Sequence, residues 1–404
     1  MLSGSWRSPS RRILAVAISF CALAVTLYGF ISGADRLRDF AGYYTAARAL
    51  TEGHPTVNLY DDLWFHQALV RYGIDEPTIV MYVNPPAIAL LVMPLVPFPP
   101  FTAKLLWNII SLLAVLAGWR VLLPVVNMSP REWRSIVLLG CILTSTPFLR
   151  NLQLGQVYTL LFLLFAVLSR AYLAARPAVT GLALAGSMTL KLYGWVFPVL
   201  FLFGKKWRFL AWSVLLPGAL LAVCVLLFGA EAYRAQWDRI ASMSGAADTA
   251  SLALRSVVAP LSRLFVFHPQ WNPGAVTHLP LIPIVLPPIL LFTALWMTFQ
   301  KTSADPLTAL AAVLVLSVVF TPLAADHHYV LLWIPAAILL TRPTGIHPAV
   351  AAAVLFLTFG WLPSPPPGIL QGWGVLLAYS RLYGAIALWW LLLRTNRPAA
   401  LIPH

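Results

Sequence analysis

"ILAVAISFCALAVTLYGFISGADRLRDFAGYYTAARAL", residues 13–50, joins an oily stretch to a polar one. The first half, Ile13 to Ile31, carries no charge. It is long enough to cross a bilayer core as a helix, which takes about 20 residues. The second half, from Asp35 to Leu50, brings two acids and three arginines into a chain where only 10% of residues are charged. A signal peptide is the competing reading of the first half, because Arg7, Arg11 and Arg12 precede it. The run is long for a signal core, lacks a small-x-small cleavage site, and is followed by many similar runs. It therefore reads as the first transmembrane helix, with its N-terminus in the cytoplasm by the positive-inside tendency.

Composition agrees. The chain has 404 residues, 60% hydrophobic and 12% aromatic, with mean hydropathy +0.81. A soluble domain is about half apolar and a quarter charged. The fold class is all-α, a polytopic bundle of transmembrane helices. Apolar runs recur to residue 394 and give roughly ten to thirteen spans by length. Several runs are broken by proline. The run 178–203 reads as two half-helices meeting at Lys191, since broken helices persist in a bilayer only where protein or a water-filled cavity satisfies the freed backbone.

One transmembrane domain, 13–394, is expected between tails at 1–12 and 395–404. Two polar segments interrupt it. The first, 32–84, holds seven of the thirteen acids and, with the N-terminus inside, lies outside. Helices are expected over Asp39–Leu50 and Leu63–Tyr72, with a turn at 52–55. The second is the loop 230–278. No internal repeat is visible.

The net charge is +14. In this composition it points to topology and anionic lipid headgroups rather than nucleic acid, because no aromatic-interleaved basic patch is present. Cys21, Cys141 and Cys224 lie far apart in apolar runs and read as packed small hydrophobes. No Walker A, GxGxxG or GxSxG signature appears, which argues against a nucleotide-driven pump, a Rossmann cofactor or a serine hydrolase.

Ionisable residues in or at the rim of a membrane domain are costly and are functional candidates by default. Asp39 opens "DFAGYYTAARAL" and shares a helix face with Tyr43 at i and i+4. A helix N-cap accounts for it, and so does a general base acting on a hydroxyl. In "MYVNPP", Tyr82 and Asn84 sit where Pro85-Pro86 starts a span, as rim-lining groups or as a helix-start signal. Gln153 and Gln156 flank Gly155 in "NLQLGQVYTL", where they bind a ligand or mark a boundary. Lys191 lies far inside an apolar run, so it must snorkel, lose its proton or meet an anion. His327 and His328 follow Asp326 at a span end. Adjacent on a helix they point about 100° apart and lack a partner at i+3 or i+4, so no metal site is expected. They anchor the helix at the interface or donate hydrogen bonds to a phosphate or sugar hydroxyl.

Taken in order, "DFAGYYTAARAL", "MYVNPPAIALLVMPLVPFPPFTAKLLW", "GQVYTLL", "GLALAGSMTLKLYGW" and "DHHYVLLWIPA" resemble glycosyltransferase family 87. These are polyprenyl-phosphate-mannose-dependent α-mannosyltransferases and relatives within the GT-C superfamily. The resemblance covers roughly residues 10 to 345. It departs at Asn84, where the family more often has tyrosine. It departs again after Lys191, where Leu192-Tyr193-Gly194 replace a nearby proline, and before the histidines, where Ala325-Asp326 replace a tryptophan. The resemblance implies Asp39 as base, and Lys191, His327, His328 and Arg38 around the phosphate of a polyprenyl-phosphate sugar. Tyr43, Tyr82, Asn84 and Gln156 are weaker substrate-binding candidates. It further implies an inverting single displacement that moves a hexose, mannose above others, to a hydroxyl of a lipid or glycan acceptor. Such an enzyme would serve glycolipid biosynthesis in the cell envelope, in the plasma membrane, with its site on the extracytoplasmic side. No cofactor is called for. A divalent cation stays open, although Asp35, Asp61 and Asp62 match no strong motif. A transporter or lipid flippase without transferase activity shares the composition and broken helices. The clustering of acids in one extramembrane insert argues against it.

Overall fold

The computed structural model describes residues 9–32, 36–75, 84–243, 249–302, 305–342, 345–363 and 365–395. Among them the chain is helical, with two isolated bridges and no strand.

Helix α1 (Pro9–Ser32) starts ahead of the apolar run at Ile13. The polar insert then folds as α2 (Asp39–Thr51), a 3₁₀ turn (Thr56–Tyr60) and α3 (Asp62–Arg71). Asp61 caps α3 by accepting from the Trp64 backbone N–H at 2.8 Å. The insert is not a solvated loop. Nine of the thirteen residues of α2 are buried. They form a small core of their own, in which Phe40, Tyr43 and Tyr44 meet Phe65, Trp107 and α4 (Ala87–Val92).

Helix α5 (Pro100–Val125) crosses away from the insert, and α6 (Trp133–Thr144) returns. Ser145 and Pro147 break this return, and α7 (Thr146–Leu154) continues at 49° to α6. Proline at the start of α7 has no N–H to give to the preceding turn, so the bend falls there. Helix α8 (Tyr158–Leu173) runs away again and α9 (Pro177–Lys191) comes back. The 178–203 run breaks at Lys191. Leu192 (φ 55°) and Gly194 (φ 94°) turn the chain, and α10 (Phe197–Phe203) follows. Glycine is required at 194 on two counts. Its φ is left-handed, and a Cβ there would sit 2.4 Å from Leu184 Cδ1.

Helices α11 (Trp207–Phe228), α12 (Ala230–Met243), α13 (Val258–Phe265), α14 (Ile282–Thr302) and α15 (Pro306–Val319) complete the middle of the chain. Every residue of α15 from Leu307 to Val319 is buried, as expected of a helix that is apolar all round. A 3₁₀ segment (Asp326–Leu332) and α16 (Trp333–Thr341) double back along it. Helices α17 (Pro348–Phe359) and α18 (Ser380–Leu393) close the bundle.

Among the described residues, four stretches are long and apolar enough to cross a membrane: α5, α11, α14 and Gly372–Leu393. The bent pair α6–α7 makes a fifth. This is fewer than the ten to thirteen spans expected from apolar runs. Proline and glycine cut those runs into helices too short to cross alone, among them α8, α15 and α17. Only 11% of the apolar window of α11 is buried, so that helix presents its sides to lipid.

Candidate active site

Asp39 is the first residue of α2 but does not cap it. The N-cap position belongs to Arg38, whose side chain makes no cap bond and whose backbone stands at φ 54°, ψ −137°. A non-glycine residue in that region costs roughly 1–3 kcal/mol and persists only where the surroundings hold it. The capping expected of Asp39 is therefore replaced by a long-range bond. Gln156 Nε2 donates to Asp39 Oδ2 at 2.6 Å, and the Tyr43 hydroxyl donates to Gln156 Oε1 at 2.6 Å. The i, i+4 spacing on α2 brings Asp39 and Tyr43 to one amide. Burial pushes the Asp39 carboxyl above its ordinary value. The Gln156 bond and the charges of Lys191, Lys104 and Arg38 pull the other way.

The break after α9 delivers Lys191 to the same place. Its ammonium donates to Asn84 Oδ1. It lies 5.5 Å from the centre of the Tyr43 ring and 5.6 Å from that of Tyr158, within cation–π range. Asn84 is held in turn by the Tyr60 hydroxyl, which donates to its carbonyl at 2.8 Å.

His327 and His328 are both buried, on the 3₁₀ segment that follows α15. Tyr158 stacks on His328 at 4.1 Å and meets His327 edge-on at 5.0 Å. The Tyr193 hydroxyl and His328 Nδ1 share a hydrogen bond of 2.6 Å. Asn151 Oδ1 accepts the Tyr158 backbone N–H at 3.0 Å. A continuous run of contacts thus leads from Asp39 through Gln156, Tyr43, Lys191 and Tyr158 to the histidines.

Next to His327, Asp326 Oδ1 accepts from Arg255 Nε and Arg381 Nε, each at 2.9 Å. Arg381 is buried and also donates to the Thr358 and Gly360 carbonyls. On the opposite flank, buried Lys104 donates to the carbonyls of Arg36 and Gln153, and Trp107 Nε1 donates to the Gly155 carbonyl at 2.9 Å. These bonds tie the start of α2 to the end of α7.

Of the residues singled out in the sequence, the structure brings together Asp39, Tyr43, Asn84, Gln156, Lys191, His327 and His328. Arg38 adjoins Asp39 and its charge acts on that carboxylate. Tyr82 and Asp35 lie outside the described residues. Asp61 caps α3, and Asp62 pairs with Arg239. Among the described residues no three His, Cys, Asp or Glu side chains gather as a metal-binding group. Tyr158, Tyr193, Lys104 and the Asp326 arginine pair were not singled out.

The sequence profile of glycosyltransferase family 87 matches residues 82–324, more than half of the chain. The chain belongs to glycosyltransferase family 87. It is a membrane glycosyltransferase, and family membership implies a sugar donor and an acceptor. No curated protein and no solved structure matches it. The family match contains Asn84, Gln156 and Lys191. Asp39 precedes it and His327 and His328 follow it, so these three join the site through geometry.

Proposed function

We propose that this family 87 protein transfers a hexose, mannose by the family resemblance, from a polyprenyl phosphate to a hydroxyl of a lipid or glycan acceptor. The observation that carries the proposal is the placement of one carboxylate, Asp39, in a single contact network with Lys191, His327 and His328. Asp39 takes the proton of the acceptor hydroxyl as the hydroxyl oxygen bonds to the anomeric carbon. The bond from that carbon to the phosphate oxygen breaks in the same displacement, inverting the centre. The polyprenyl phosphate leaves with the bonding pair, and its charge is met by Lys191, the two imidazoles and Arg38. The lipid carries the sugar, so no nucleotide site and no cofactor enter.

Burial of Asp39 suits the role, because a base works best with its affinity raised toward the working pH. The charge pattern supports a site facing outward. Short connections at the end away from Asp39 carry Arg131, Arg176, Lys205 and Lys206, while the acid-rich insert sits at the site end. That orientation fits glycolipid assembly for the envelope at the plasma membrane.

The test is incubation of membranes containing the protein with polyprenyl-phosphate mannose or glucose, followed by mass analysis of the glycolipids. The expected result is a hexose-sized increment that Asp39→Asn lowers by about 10²–10⁴-fold, the usual contribution of a general base. Full transfer by Asp39→Asn would refute the base. Lipid movement across the bilayer without any transfer would favour a flippase instead.

A further inference from the structure

Helix α6 packs against α1 and α7, and α17 packs against α18. Between α6 and α17 lies an apolar cavity of about 490 Å³, floored by α16. Leu138, Trp333 and Ala337 form its buried floor, and Phe356 and Trp361 its exposed rim. Arg134 lines one end. From Trp133 to the bend at Ser145, α6 rises about 18 Å. The cavity's length and its apolar lining suit an extended hydrocarbon chain.

The polar end identifies the lipid. Arg134 is exposed, has no acidic partner among the described residues, and lies over the Trp133 ring at 5.8 Å. A guanidinium matches phosphate geometry, and tryptophan marks the headgroup level. Arg131 adds a second exposed cation in the same connection. The depth is fixed by α5. Its Lys104 and Trp107 are bonded to residues 153 and 155 at the Asp39 site, and the helix then runs to Val125 beside the start of α6. Arg134 is thus about one membrane thickness from Asp39, with roughly 30 Å of α5 between Lys104 and Val125. A phosphate on Arg134 belongs to the other leaflet and is separate from the donor phosphate.

We propose that this slot holds one acyl chain of an anionic glycerophospholipid from the leaflet opposite the active site, with its phosphate on Arg134. The test is native mass spectrometry of the full chain after delipidation and exposure to phosphatidylglycerol or phosphatidylcholine. The expected result is one retained phosphatidylglycerol per chain, preferred about fivefold, the ratio for one basic residue near an anionic headgroup. Arg134→Gln removes the preference, and Ala337→Phe, which fills the floor, lowers retention of both lipids. Leu138→Phe serves the same end if Ala337→Phe does not fold. An unchanged preference for phosphatidylglycerol in Arg134→Gln, undiminished retention in a folded floor variant, or retention of polyprenyl phosphate in place of phosphatidylglycerol would each overturn the proposal.

Discussion

Gln156 donates its side-chain amide to the Asp39 carboxylate at 2.6 Å, across 117 positions of sequence. The other end of that amide accepts from Tyr43, so its orientation is set by chemistry at both ends. The bond joins the insert after the first span to the junction of α7 and α8. It fixes one carboxylate oxygen and leaves the other free to take a proton. A capping carboxylate would have been aimed at its own helix. This one is aimed into the bundle.

Gln156→Leu removes a hydrogen bond to a charged group, worth about 1.5–3 kcal/mol. The expected loss in kcat/KM is roughly 10- to 100-fold. Gln156→Glu should be worse, because two carboxylates then face each other. Steady-state kinetics on both variants checks this. A Gln156→Leu enzyme as fast as the parent would remove Gln156 from any positioning role.

Protonation of Asp39 should set the acid limb of the rate profile. A base acts only when deprotonated, so kcat/KM rises as pH rises through its pKa. Burial holds that pKa above the ordinary carboxylate value of about 3.9, and the limb should lie above it too. Lys104 is one of the cations that pull the pKa down. Lys104→Gln keeps a donor for the carbonyls of Arg36 and Gln153 but removes the charge. The carboxylate form is then less favoured, and the limb should move to higher pH. A profile that does not move would separate Lys104 from Asp39.

Much of this arrangement was legible in the sequence. Charged and amide side chains in an oily chain are conspicuous, and Asp39, Gln156, Lys191 and the histidine pair all converge. The half-helix break at Lys191 was visible in its surroundings, and the structure shows the turn at Leu192 and Gly194. Tyr158 and Tyr193 stayed hidden because an aromatic in an apolar run looks like core wherever it lies. Their value comes from packing on His328, which only the fold creates. The capping expectation for Asp39 failed for a similar reason. Helix-start rules are local, and Gln156 is not. Apolar length alone does not give helix length, because proline breaks turn single runs into bent or short helices.

Asp326 should matter first for stability. It is the carboxylate between Arg255 and Arg381, and the Arg381 side chain is only 5% exposed. Asp326→Ala leaves a buried guanidinium without its counter-charge, a change that costs about 3–5 kcal/mol. Thermal unfolding in detergent should show a clear fall in Tm. Asp326→Asn keeps one acceptor oxygen and should fall less. An unchanged Tm in Asp326→Ala would mean that the arginines find other partners, and that the cluster does not hold the histidine segment in place.

Gly155 tests how closely α2 must approach α7. It stands at φ +69°, and a Cβ built on it lies 2.5 Å from Phe40 Cβ, next to Asp39. Its carbonyl also accepts from Trp107. Gly155→Ala should therefore act in two ways. The left-handed backbone costs an L-residue about 1–2 kcal/mol, and the new methyl pushes Phe40 and the start of α2 away from Gln156. Gly155→Asn separates the two effects, because asparagine tolerates the left-handed region yet still carries a Cβ. If the contact dominates, Asn is as poor as Ala, with kcat/KM lowered about tenfold or more, the equivalent of 1.4 kcal/mol. Recovery of activity by Asn would show that backbone strain alone is at stake, and that Asp39 does not depend on the close approach of Phe40 to residue 155.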